Sequence, residues 1–121
     1  MQDLQIEILQ EINFDDKSVA LRSDGIVLVT IKNNEDVEIK DVVEVVSALK
    51  EIGKGKKFPQ LIVAQKYTLP SPEARAYIAK AESNPFASAE AYIIRSFSQK
   101  LIGNLYISLN KPARPTRIFT D

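Results

Sequence analysis

Cysteine and histidine are both absent from this chain of 121 residues. Their absence removes disulfides, thiol nucleophiles, Cys/His zinc sites and every His-based catalytic triad. Glycine is scarce, at four residues, and neither the phosphate cradles G-x-x-x-x-G-K and G-x-G-x-x-G nor the nucleophile elbow G-x-S-x-G occurs. Net charge is missing too: 16 Lys+Arg balance 16 Asp+Glu, which excludes a polybasic protein that coats nucleic acid. No apolar run approaches the roughly 18 residues of a membrane span, and the opening MQDLQIEILQ is too acidic and interrupted for a signal peptide. A soluble cytoplasmic protein with no metal and no cofactor is expected.

What is present suffices for one domain over residues 1–121, with 1–17 peripheral. Hydrophobic residues at 45% and charged residues at 26% argue against disorder. At this length roughly two thirds of the unfolded surface can be buried without a staple.

Two β-rich stretches, Ser18 to Arg22 and Ile26 to Lys32, flank Ser23-Asp24-Gly25 and read as an antiparallel hairpin. The second is nearly continuous in apolar residues, as expected of a strand covered on both faces. Leu4 to Ile8 alternates at period two and fits an edge strand or a short helix. From Ile39 the period becomes helical, with Ile39, Val42, Val43, Val46, Leu49 and Ile52 on one stripe, predicting a helix over 38–52 that Gly53 stops in αL. A short buried strand over 59–65 follows. Ser71 then caps a second helix beginning at Pro72 and closed by Asn84-Pro85. A strand over 89–95 leads to a third helix, capped by Ser96 or Ser98, with Phe97, Leu101, Ile102, Leu105 and Leu109 inward. Thr116 to Phe119 is the last strand. The order β-β-α-β-α-β-α-β predicts an α/β fold with a mixed, mostly parallel sheet and an N-terminal antiparallel hairpin.

Several motifs carry a family resemblance. They are Asp24-Gly25-Ile26, Ser71-x-Glu73-Ala74-Arg75-x-Tyr77, Leu101-Ile102-Gly103-Asn104 and Asn110-Lys111-Pro112-x-x-Pro115-Thr116. From Ser18 to Asp121 the chain resembles a family of small uncharacterised bacterial proteins described as STAS-like, similar in fold to the SpoIIAA-type anti-sigma factor antagonists. The resemblance implies a non-enzymatic regulatory module that acts through protein contact, switched in the antagonists by phosphorylation of a serine at the start of the second helix. The antagonists carry Asp-Ser-(Ser/Thr)-Gly there, whereas this chain reads Ala64-Gln65-Lys66-Tyr67-Thr68-Leu69-Pro70-Ser71, with no acid and no glycine. The switch serine is therefore not supported. Members of the resembled family commonly continue into an acidic helix; with the sequence ending at Asp121, an uncovered apolar patch and a homodimer are expected.

Candidate sites follow from position. Lys66, Tyr67, Thr68 and Ser71 lie at the C-terminal end of a parallel strand, where open α/β sheets hold ligands, and a helix N-terminus offers free N–H groups to anions. The plainer role of Ser71 is a cap. Leu101, Gly103, Leu105, Arg114 and Arg117 are the candidate interface; Gly103 in mid-helix implies a close approach to the sheet, a second subunit or a ligand. Residues 1–60 hold 12 acids against 8 bases and residues 61–121 hold 4 against 8, so a basic C-terminal face is expected to steer acidic partners or simply to be solvated. Without interleaved aromatics it does not point to nucleic acid. The alternative to a protein-interaction module is a carrier or sensor of a small anionic or apolar ligand, which calls for a closed apolar pocket rather than a flat patch.

Overall fold

The computed structural model describes residues 5–120. Six strands, β1 (Ile8–Asn13), β2 (Lys17–Arg22), β3 (Val27–Ile31), β4 (Phe58–Val63), β5 (Ala87–Ile94) and β6 (Thr116–Thr120), form one sheet in chain order. The pairs β1–β2 and β2–β3 are antiparallel, and β3 to β6 are parallel. The helices are α1 (Ile39–Gly53), α2 (Pro72–Ala79) and α3 (Phe97–Leu105).

Because the parallel strands lie side by side in chain order, crossovers of one hand bring every helix to the same face. The row Ile12, Val19, Val29, Ile62, Tyr92 and Ile118 crosses the whole sheet on that face. The main core forms where Val19, Val27, Val29 and Ile31 meet Ala48, Leu49 and Ile52 of α1. The row behind, Ala20, Leu28, Leu61, Ala91 and Arg117, meets no described helix. The expectation that the Ile26 to Ile31 run is covered on both faces is thus corrected: Val27 and Val29 are buried, while Leu28 and Thr30 are half-buried on the open side.

Local signals set most element ends. Asp24 Oδ1 accepts from the Ile26 amide, and Gly25 takes φ +81 in the hairpin turn. Glu38 and Asp41 form a reciprocal capping box at the start of α1. Ser71 Oγ accepts from Ala74 N at 3.0 Å and Ser96 Oγ from Gln99 N at 3.2 Å.

Other boundaries and faces differ from expectation. The αL residue after α1 is Lys54, not Gly53, because Gly53 sits inside the helix against the Phe58 ring. Within the α1 stripe, Ile39 and Val43 turn outward. The edge strand begins at Ile8, just where the period-two alternation stops; of that alternating segment, Leu4 lies outside the described residues. α2 ends at Ala79, before a short 3₁₀ turn over 81–83, so Asn84-Pro85 does not close it. The third helix ends at Leu105 in a wide π turn over 106–110.

The largest reversal concerns α3. Phe97, Leu101, Leu105 and Leu109, expected inward, are 74%, 55%, 36% and 68% exposed. The inward face is Gln99, Ile102, Gly103 and Tyr106. A Cβ on Gly103 would stand 2.5 Å from Ile118 Cδ1, so the close approach implied by this glycine is to β6.

One buried charge lies at the start of β2. Lys17 is 1% exposed, and its ammonium donates to Asp16 Oδ1 at 2.8 Å, Asp41 Oδ1 at 3.3 Å and Glu44 Oε1 at 2.7 Å, with the Phe14 ring beneath it at 5.0 Å. Burial pulls the amine down, but the bonds to Asp16, Glu44 and Asp41 outweigh it and hold it above its usual value. The bond to Lys17 holds Asp16 below the ordinary carboxylate range. The Asp16 contribution is therefore complete above about pH 4 and is lost as pH falls through its lower folded value. The Lys17 contribution is complete below about pH 10 and is lost only on the alkaline side. Melting temperature is expected to fall below about pH 4, and Lys17→Met to flatten that acid limb. A variant that keeps the full acid-side drop would assign it to other carboxylates.

Candidate ligand cavity and apolar surface

Between the inner face of the sheet and the three helices lies a cavity of about 160 Å³. Its wall is mostly aliphatic, drawn from α1 (Val42, Val46), α2 (Ile78), α3 (Ile102) and the strands (Ile62, Ile118). The side chains meet there because the inward residues of β3 to β6 share one face, while Gly103, lacking a side chain, lets α3 come close to Ile118 of β6.

The polar groups on this wall fall into two sets. The first is saturated. Glu90, 5% exposed, accepts from the Tyr92 hydroxyl at 2.8 Å on Oε2 and from the Tyr106 hydroxyl at 3.0 Å on Oε1. Arg114 Nη1 donates to the same Oε1 at 3.3 Å and to Ile78 O at 2.8 Å, while Nη2 donates to Lys80 O at 2.9 Å. Burial, then the Glu90 charge, push the Tyr92 and Tyr106 hydroxyls above their usual value, so both stay protonated donors at neutral pH. Gln99 is also satisfied: Nε2 donates to Gln65 O at 2.6 Å and Thr68 O at 3.0 Å, and Oε1 accepts from Arg95 N at 2.7 Å.

The second set lacks acceptors. Gln60, 4% exposed, has no partner for Nε2, and Arg75 has none for Nε. Both residues line the cavity.

A family model described as a domain of unknown function, DUF7793, matches residues 19–121. The chain belongs to the DUF7793 family. Nothing among curated proteins and nothing among solved structures matches it. The matched span of the DUF7793 domain runs from within β2 to the end of the chain, so it contains the α2 and α3 walls of the cavity and the exposed stripe of α3.

The residues singled out from sequence separate in the folded DUF7793 domain. Lys66 and Tyr67 point to solvent, with the Lys66 ammonium 5.7 Å from the Tyr67 ring centre. Thr68 is buried at the cavity rim and donates its hydroxyl to Asn33 O at 2.6 Å. Ser71 is occupied as the α2 cap. Of the interface candidates, Leu101, Leu105 and Arg117 are exposed. Gly103 and Arg114 are corrected: both face the interior, one against Ile118 and the other, 8% exposed, against Glu90. Arg114 therefore contributes no charge to a basic surface. The carboxylate pairs Asp15-Asp16 and Glu35-Asp36 lie in loops, with Asp16, Glu35 and Asp36 bordering a polar recess of about 270 Å³ beside Lys17.

Sequence reasoning missed Gln60, Arg75 and Glu90. The one legible signal was the lone polar residue Gln60 in Phe58–Val63 and the lone charged residue Glu90 in Ala87–Ile94. Among the described residues no helix is long and apolar enough to cross a membrane, and no group of three or more His, Cys, Asp or Glu is placed to hold a metal ion.

Proposed function

We propose that this DUF7793 domain is a non-enzymatic, STAS-like regulatory module that docks a protein partner on the outer side of α3. The observation that carries the reading is the stripe Phe97, Leu101 and Leu105, spaced i, i+4, i+8 and exposed along the whole helix, with Leu109 extending it. An amphipathic helix normally turns such a stripe to the core, and a monomer seldom leaves one in water without a use for it.

The surroundings favour one kind of partner. Lys100 and Lys111 are the charged residues of 96–113, and that segment holds no acid. A second copy meeting the stripe head-on would bring lysines together. A partner with an apolar strip bordered by Asp and Glu gains both burial and charge complementarity.

The test compares wild type with Leu101→Glu/Leu105→Glu, immobilised in extract of the native cell, alongside sedimentation velocity of each. Both positions are exposed, so the variant is expected to melt within a few degrees of wild type. Support requires defined proteins retained by wild type, lost by the variant and released by salt, from a chain that sediments as a monomer. Equal retention by both forms refutes the docking role. A wild-type dimer that the variant breaks assigns the stripe to a second copy and overturns the acidic partner.

A further inference from the structure

We propose that the cavity under the helices is a binding site for a small monocarboxylate with an apolar body of about six carbons. The proposal rests on the interior and is independent of the α3 stripe. A cavity near 160 Å³ is of the size that, with an aliphatic wall, stays dry and admits a benzene-sized molecule. That sets the body of the ligand.

The head group follows from the polar atoms. Buried donors nearly always find acceptors, because an unmade bond carries the full desolvation cost of the group. Two donors lining this cavity have none, Gln60 Nε2 on β4 and Arg75 Nε on α2. The protein offers nothing to satisfy them: Glu90 is committed to Tyr92, Tyr106 and Arg114, and Asp41 to Lys17 and the Glu38 amide. A water molecule there would find few further partners on so aliphatic a surface.

Charge narrows the choice further. The buried cations Lys17 and Arg114 each meet a carboxylate, whereas the half-buried Arg75, whose Nε is enclosed, has none within 4.0 Å among the described residues, and its Nη1 reaches just Pro70 O at 3.4 Å. A guanidinium facing an apolar cavity with an idle N–H is matched by a carboxylate more closely than by any neutral acceptor.

The experiment titrates isoleucine-methyl-labelled protein with hexanoate, benzoate and toluene and follows the methyl resonances of Ile62, Ile78, Ile102 and Ile118. Both carboxylates are expected to shift these methyls saturably and to bind more tightly than toluene. Arg75→Gln should weaken the carboxylates about tenfold or more while leaving toluene unchanged, which also shows that the variant folds. Ala64→Leu, on the wall, should weaken all three by filling the space. Gln60→Leu should weaken the carboxylates while raising thermal stability, since it removes an unpaired donor. The proposal is overturned by no saturable shift with either carboxylate up to about 10 mM, where even weak ligands of this size register. It is overturned equally by toluene binding as tightly as hexanoate, or by carboxylate affinity that Arg75→Gln leaves intact.

Discussion

Arg114→Met lowers the unfolding free energy by about 3–5 kcal/mol, the loss expected when one partner of a buried ion pair is removed and the other stays. Three bonds disappear together. Two of them reach Ile78 O and Lys80 O at the end of α2, carbonyls that would then keep only the donors of Ser83. The third neutralises Glu90, which is 3% exposed at its side chain and keeps its bonds from Tyr92 and Tyr106 but no cation. Arg114→Lys is expected to fall between, because an ammonium cannot span two carbonyls and a carboxylate with the planar fork. The double variant Arg114→Met/Glu90→Gln should recover part of the loss, since the stranded charge is gone. Urea denaturation at neutral pH reads all three. A loss below about 1 kcal/mol would mean that the pair is dispensable and that α2 is held by apolar packing alone.

Gln99→Leu is expected to cost about 2–3 kcal/mol, by removing the donor to Thr68 O, one of the two donors to Gln65 O, which keeps the Thr68 amide, and the acceptor of the Arg95 amide. The volume is nearly conserved, so packing loss contributes little. The effect should be local: α3 loses its anchor to the loop that follows β4, and amide exchange is expected to quicken through 65–69 and 96–102 more than in β2 and β3. Uniform loss of protection would show instead that Gln99 supports the whole domain. The same anchor aims the outer stripe, so Gln99→Leu is also expected to weaken capture of a partner without touching any exposed residue.

These effects mark how far the fold was legible beforehand. The hairpin, α1, the Ser71 and Ser96 caps and the parallel strands all follow from short-range chemistry: a turn needing φ > 0 at Gly25, a 3.6-residue apolar period, a serine oxygen taking a free N–H. The cavity was not legible, because Gln60 and Arg75 lie far from each other in sequence and nothing local tells an idle donor from a paired one. Lys17 was equally hidden; its partners come from the preceding residue and from the first turns of α1, 24 and 27 residues away.

The helix α3 shows the boundary most clearly. Sequence alone determined that a helix capped by Ser96 or Ser98 follows β5, expected to run to about Leu109 where the α-helix in fact ends at Leu105, and that an apolar stripe runs along it. It could not determine which way the stripe points, since Phe97-Leu101-Leu105 and Gln99-Ile102-Gly103-Tyr106 are both acceptable helical faces. Tertiary structure chose the second. The Gln99 side chain closes two bonds to the loop after β4 and a third to the Arg95 amide after β5, Tyr106 reaches Glu90, and Gly103 alone lets the helix settle against Ile118, so shape and hydrogen bonding outweighed hydrophobicity and left the leucines in water.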